Sequence, residues 1–157
     1  MLEAESAVCA TKPQRKELPL FDTSTDAGRR ARSRLEEEEV AWLTTVRSDG
    51  QPQTVPVWFL WDDGGFLIYS QPDRQKLRNI SRNPRVGLNL NSDAQGGNVV
   101  RLEGTATIAD DAPPSDEVPS YVEKYRESIS RIGFDVDGFA RAYSVAVRVK
   151  PDRWQVW

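Results

Sequence analysis

Histidine is absent from this 157-residue chain, and cysteine occurs once, at Cys9. Those two shortages remove the common zinc-ligand sets, the Ser-His-Asp and Cys-His nucleophile machineries, any internal disulfide and a redox cysteine pair, so no metal site is expected. Long apolar runs are missing as well. The opening residues "MLEAESAVCATKPQRKELPLF" hold neither a basic leader region nor an apolar stretch, and a soluble, cytoplasmic protein without membrane contact is expected. There is no general basic excess either: 21 basic residues face 24 acidic ones, which argues against a nucleic-acid partner. Chemistry on this chain must come from a bound cofactor or from carboxylates, tyrosine, lysine and water.

The length suits one domain with appendages. Residues 1–24 are polar, contain Pro13 and Pro19 and show no periodicity, so they read as a flexible N-terminal arm ahead of a domain spanning 25–157. A helix is expected from Thr25 or Asp26, with Arg32 and Glu36, and Arg34 and Glu38, at i,i+4 spacing. Strand signals follow at residues 40–47, 52–61 and 66–70, separated by Asp49-Gly50 and by Asp62-Asp63-Gly64-Gly65, which reads as an antiparallel meander. Further strands are expected at 85–90 and 98–109 and in "YSVAVRV" and "RWQVW", with "YVEKYRESISRI" as a surface helix. The fold class is therefore mainly β: six or seven antiparallel strands closing a small barrel, with flanking helices.

Two stretches stand out. In "TVPVWFLW", Val55, Val57, Phe59 and Trp61 alternate with Thr54, Pro56, Trp58 and Leu60, and both faces are largely apolar. One face can fill the barrel; the other needs a partner subunit or a flat ligand, and Pro56 implies a bulge or a sheet edge. The second stretch, residues 73–85, sets Arg74, Lys76, Arg78, Arg82 and Arg85 against the single acid Asp73. It carries +4 in a chain of net charge −3, leaving −7 for the rest. A solvated face, a nucleic-acid contact, an acidic docking partner and a phosphate site all compete to explain it. The phosphate ranks first, because the cluster opens a short helix directly after a strand, where free N–H groups and the helix dipole favour an anion while Arg74 and Lys76 oppose that dipole.

The stretch "FLIYSQPDRQKLRNISRNPRVGL" resembles the pyridoxamine 5'-phosphate oxidase-like split β-barrel family, in which a strand ending in Tyr-Thr/Ser leads into a basic helix and "NPR-V". Together with "WLTTVRSDGQPQTVPVWFLWDDGG", "LEGTATIADD" and "YVEKYRES", it is similar to the branch of actinobacterial enzymes that use the deazaflavin coenzyme F-420; the likeness covers about residues 35–157. The resemblance implies an FMN-binding-protein-like split barrel, a homodimer with the cofactor at the subunit interface, and a reductase passing a hydride to a small unsaturated or aromatic acceptor. It places the cofactor phosphate on Arg74 and Lys76, with Ser70, Gln71, Arg78 and Asn79 nearby. The tricyclic ring would lie along Gln53, Thr54, Val55, Pro56, Val57 and Trp58. FMN is the alternative cofactor, and a non-catalytic tetrapyrrole-binding barrel the alternative to an enzyme. The chain ends "VKPDRWQVW", without the arginine and histidine rich segment of the vitamin B6 oxidases, so pyridoxine phosphate is not expected as substrate. No residue stands out as proton donor: Tyr69, Tyr143 and bound water are candidates, with a packed strand position ranked first for each tyrosine, and Trp58, Trp154 and Trp157 offer walls for an acceptor site, with core or interface packing ranked first.

Overall fold

The computed structural model describes residues 21–62 and 64–157; most of the arm expected at 1–24 lies outside them. Within them the packed chain starts earlier than residue 25. Phe21 meets Trp154 edge to face at 5.2 Å and packs on the barrel core. Helix α1 (Asp26–Glu37) follows, with Thr25 as its N-cap, its side chain accepting from the Gly28 N–H. The entering loop folds back so tightly that a Cβ on Gly28 would lie 2.0 Å from the Asp22 carbonyl oxygen, which only glycine accommodates. The expected Arg32–Glu36 and Arg34–Glu38 pairs both form.

Among the described residues there is one antiparallel sheet of seven strands, in the order β2-β1-β5-β6-β7-β4-β3. These are β1 (Val40–Val46), β2 (Pro52–Trp58), β3 (Leu60–Asp62), β4 (Gly65–Ser70), β5 (Arg85–Asn89), β6 (Val100–Ile108) and β7 (Val145–Val156). The two edges, β2 and β3, are separated along the chain by Phe59 alone, so the sheet must curl until its edges meet at that corner. The product is the split β-barrel that the sequence predicts. The meander needs correcting: residues 52–61 are not one strand, since β2 pairs with β1 and β3 pairs with β4 across the corner. The last two strands expected are in fact one. β7 runs through Pro151, which β6 accommodates with a register shift at Glu103/Gly104.

The barrel interior is filled by Leu35, Leu43, Phe59, Phe66, Ile68, Val147 and Val149, all fully buried, and helix α2 (Gln75–Arg82) closes one mouth with Leu77 and Ile80. A second layer lies outside the sheet over Leu67, Tyr69 and Ala146, built from α3 (Pro119–Arg131) and α4 (Val136–Ala142). Helix α3 is the surface helix expected from sequence, with Glu123, Arg126, Glu127 and Arg131 exposed, but its inner face is buried more deeply than its polar composition suggests. Tyr121, Tyr125 and Ile129, four residues apart, are fully buried along one stripe.

Candidate functional site

Helix α2 begins without the devices that normally stabilise a helix start. Its N-cap is Arg74, which makes no side-chain capping bond, and no acidic residue occupies the first turn. The Gln75 and Lys76 N–H groups find no partner among the described residues. Asp73, the one acid of the cluster, adopts the left-handed conformation (φ 60°) and pairs with none of the cations. Its carbonyl instead accepts from Arg78 Nη1 at 2.6 Å, and the Arg78 guanidinium also donates to Gln75 Oε1 at 2.8 Å. Arg78 thus braces the turn, while Arg74 donates to the side chain of Gln71 and stays exposed. Lys76 is half-buried, and burial followed by repulsion from Arg74 holds its amine below the usual lysine range. Arg74 and Lys76, near enough to repel each other, thus belong to the same helix start as two open N–H groups, a combination that favours an anion.

Asn79 lies one turn further along and is fully buried. Its amide donates to Thr45 Oγ1 on β1 at 2.9 Å and to Gln53 Oε1 on β2 at 3.2 Å, and its oxygen accepts from Gln75 Nε2 at 2.8 Å. All of its polar atoms are engaged by the protein, so Asn79 locks α2 against β1 and β2. Ser70 is likewise buried at the end of β4, its hydroxyl donating to the Gln71 carbonyl at 2.9 Å. The structure therefore gathers Gln53, Ser70, Gln71, Arg74, Lys76, Arg78 and Asn79 around one barrel mouth, and neither Arg74 nor Lys76 pairs with an acid among the described residues.

Strand β2 lies at one edge of the sheet and presents backbone groups there. The Arg47 N–H donates to the Gln51 carbonyl at 2.9 Å, so the alternation of an antiparallel ladder pairs residues 53, 55 and 57 with β1 and turns residues 52, 54, 56 and 58 outward. Two of those four, Pro52 and Pro56, have no N–H to lose, which is why the strand tolerates them. The free edge offers a run of carbonyls with the Thr54 N–H among them, a pattern that suits the alternating donors and acceptors of a flat heterocycle. The edge expected at Pro56 is present. Val55 and Val57 point into the barrel, and Gln53 is committed to Asn79.

The proton-donor and acceptor-wall candidates Trp58, Trp154, Tyr69 and Tyr143 take the packing roles ranked first for them, and Trp58 is thereby withdrawn from the ring-binding set. Trp58 stacks on Tyr125 and Phe139, with centroids at 4.9 and 5.6 Å, and belongs to the outer aromatic layer. Since α3 and α4 cover Trp58 and Leu60, the outer face of residues 54–61 is open only at Thr54, Pro56 and the adjoining edge of β3. Trp154 packs edge to face against Trp61 and Phe21 in the barrel core. Tyr69 donates to the Pro113 carbonyl at 2.7 Å, and burial pushes its hydroxyl up to about 12. Tyr143 stacks on Phe139 at 4.3 Å.

Sequence reasoning missed Lys124 and Tyr125. At the corner, the backbone of Phe59 has left one ladder without joining the next, and α3 satisfies it. The Phe59 N–H donates to the Tyr125 hydroxyl at 2.8 Å, that hydroxyl lies 2.7 Å from both the Phe59 and Glu39 carbonyls, and Lys124 Nζ donates to the Phe59 carbonyl at 3.1 Å. Burial draws the Lys124 amine down to about 8, with Glu39 and Glu38 pulling the other way. The four-residue spacing of Tyr121, Tyr125 and Ile129 was the signal available.

The family model described as pyridoxamine 5'-phosphate oxidase matches residues 28–157. The chain belongs to this family. Among curated members, it is 30% identical over 112 residues to an F-420H(2)-dependent biliverdin reductase of Mycobacterium tuberculosis, covering 69% of this chain and 80% of that protein. It is 28% identical over 128 residues to a pyridoxine/pyridoxamine 5'-phosphate oxidase of Rhodopseudomonas palustris, covering 73% of this chain but only 60% of that protein's length. Among solved structures, an F-420 reductase superposes with a TM-score of 0.60 at 26% identity, covering 78% of this chain and 94% of that one. A haem storage protein of Vibrio cholerae shares the fold at a TM-score of 0.61 and 16% identity, covering 84% and 95% of the two chains. No helix among the described residues is long and apolar enough to cross a membrane.

Proposed function

We propose that this family member is an F-420-dependent oxidoreductase whose reduced deazaflavin delivers a hydride to an unsaturated or aromatic acceptor. The observation that carries the reading is the start of α2, where Arg74, half-buried Lys76 and two unpaired N–H groups meet with no acid to balance them. The similarity to an F-420H(2)-dependent biliverdin reductase and to an F-420 reductase favours the deazaflavin over FMN. When bound, the reduced coenzyme supplies the hydride. Arg74 and Lys76 hold its phosphate, Arg78 keeps the Asp73 turn in place, and Asn79 fixes the distance from that phosphate to β2. The Thr54 N–H and the carbonyls of Thr54 and Pro56 orient the polar edge of the ring. A second copy of the chain packed over Pro56 and Thr54 would exclude water from the ring, so we further propose a homodimer with the cofactor at its seam.

Titrating the purified protein with F-420 and FMN side by side tests the reading. Tighter binding of F-420 is expected, together with reoxidation of its reduced form by at least one member of a panel of enones, quinones and tetrapyrroles. Binding without reoxidation by any acceptor would instead favour a carrier, and preference for FMN would overturn the choice of cofactor. Sedimentation that finds a folded monomer at micromolar concentration would overturn the dimer.

A further inference from the structure

Helix α3 does more at the Phe59 corner than cover it. Continued by one residue, the β1–β2 register would set Glu39 opposite Phe59, and the alternation of the ladder makes that a rung in which the Phe59 N–H donates to the Glu39 carbonyl. The Tyr125 hydroxyl occupies that rung instead. It accepts from the Phe59 N–H at 2.8 Å and lies 2.7 Å from the Glu39 carbonyl, so one oxygen stands between two strands that could have bonded directly. The Phe59 carbonyl, which such a rung would tie to β1, accepts from Lys124 Nζ at 3.1 Å, and the Ser128 hydroxyl donates to Glu39 Oε2 at 2.8 Å.

A direct rung would satisfy the same backbone groups without a buried tyrosine hydroxyl or a half-buried lysine. Tyr125 is fully buried, and the Lys124 amine rests 4.2 Å above the Phe59 ring while pairing with no acid among the described residues. Direct closure is the simpler arrangement, and α3 prevents it. An atom inserted into a ladder acts as a β-bulge does, bending the strand and re-aiming the residues beside it. The strand bent here is β2. Its last residue, Trp58, lies on Tyr125 with ring planes 10° apart, and the outward residues next to it are Pro56 and Thr54.

We propose that Tyr125 and Lys124 are positioning residues for the cofactor: their wedge in the β1–β2 ladder sets the pose of the free edge at Thr54 and Pro56, and the charge on the lysine determines how firmly the wedge holds. That the edge serves a cofactor rests on the oxidoreductase reading; the wedge does not. A charged amine grips both the Phe59 carbonyl and the face of the Phe59 ring, whereas a neutral one keeps only an ordinary hydrogen bond. Burial draws this amine down to about 8 against the pull of the Glu39 and Glu38 carboxylates, which face it from the link between α1 and β1. The corner contributes only the Phe59 ring and carbonyl, and α3 itself the Tyr125 ring at 5.6 Å. The wedge should therefore loosen as pH rises through about 8.

The test has one arm without cofactor and one with it. Amide hydrogen exchange of the full chain, corrected for the intrinsic rate, is followed on either side of pH 8. Protection at Val57 and Phe59 should fall in the wild type as that pH is crossed, while β5 and β6 keep theirs. Lys124→Met should show the lower protection throughout, and Lys124→Arg, which retains the charge, the higher. In the second arm, Lys124→Met should bind F-420 about three- to fivefold more weakly than the wild type at low pH and equally at high pH. Titration of Lys76 is common to both proteins and cancels in that ratio. Tyr125→Phe, which keeps the ring and removes the wedge oxygen, should weaken F-420 by about tenfold at every pH. Exchange that rises equally in all strands of Lys124→Met would overturn the proposal, because the lysine would then serve stability alone. So would unchanged exchange at Val57 and Phe59, or an affinity ratio that does not vary with pH. If the wild type binds no F-420 while the exchange pattern is as expected, the cofactor reading fails and the wedge stands.

Discussion

Helices α1 and α2 start in opposite ways. Helix α1 has a capping threonine, an acid in its first turn and cations that pair with carboxylates a turn away, so its ends are satisfied by its own sequence. Helix α2 has an arginine in the capping position, a lysine in its first turn and no acid in that turn. The chain can build a well-capped helix, and beside β2 it does not. Helix α3 also starts uncapped, at Val118, but it carries Pro119 rather than a cation in its first turn, so the uncompensated positive charge is peculiar to α2, where the phosphate is proposed to bind and would restore what the sequence omits.

That contrast can be tested from either side. The largest effect is expected at Asn79, which ties the unsupported helix to the barrel. Asn79→Ala leaves Thr45, Gln53 and Gln75 without their partner and should cost about 2 kcal/mol, read as a lower urea midpoint with an unchanged slope. Next comes Lys76→Ala, expected to weaken F-420 binding by about ten- to a hundredfold while leaving the melting temperature of the cofactor-free protein unchanged or raised. Arg82→Ala is the control, since a cation suits that helix end; if the two variants behave alike, the cluster is structural. A smaller, reciprocal pair follows. Thr25→Ala should destabilise the protein by about 1 kcal/mol, whereas Arg74→Ser installs the cap that α2 lacks and should gain a few tenths to about 1 kcal/mol while weakening the cofactor. A loss of stability in Arg74→Ser would mean that the arginine already has a structural role.

The smallest expected effect is a pH slope. The folded Lys76 amine titrates below its unfolded value, so the charge is a cost of folding at low pH that is relieved as pH rises through the folded value toward the ordinary lysine range. Without cofactor, stability should therefore rise over that interval, and the wild type minus Lys76→Met difference in denaturant midpoints should show the rise. Lys124 contributes in the same sense from about pH 8 upward in both proteins and cancels in the difference. A bound phosphate favours the charged amine and should flatten the slope.

Much of this was legible in the chain itself. The strands, the Thr25 cap, the buried Leu77 and Ile80, and the edge position of Pro56 all follow from local spacing, because alternation, capping and proline act within a few residues. What escaped depends on contacts far apart in sequence. The break at Phe59 is invisible in "TVPVWFLW", since both halves alternate apolar residues and only the partners of β2 and β3 differ. Asn79 reads as one more polar helix residue until Thr45 and Gln53 are brought against it. Trp58 was assigned to a ligand because its actual partners, Tyr125 and Phe139, come more than 60 residues later.

The Phe59 corner also sets an order of events during folding. The hairpins β1–β2 and β3–β4 need only short loops, but the backbone groups of Phe59 wait for a tyrosine 66 residues downstream. Until residues 119–131 have been made and docked, the nascent chain holds two hairpins hinged at an unsatisfied peptide, with the carbonyl-rich edge of β2 open to any passing strand. Closure should thus come after the main barrier. Tyr125→Phe is expected to accelerate unfolding while scarcely slowing refolding in stopped-flow measurements, and a variant that refolds more slowly by the full loss in stability would place the corner in the nucleus instead.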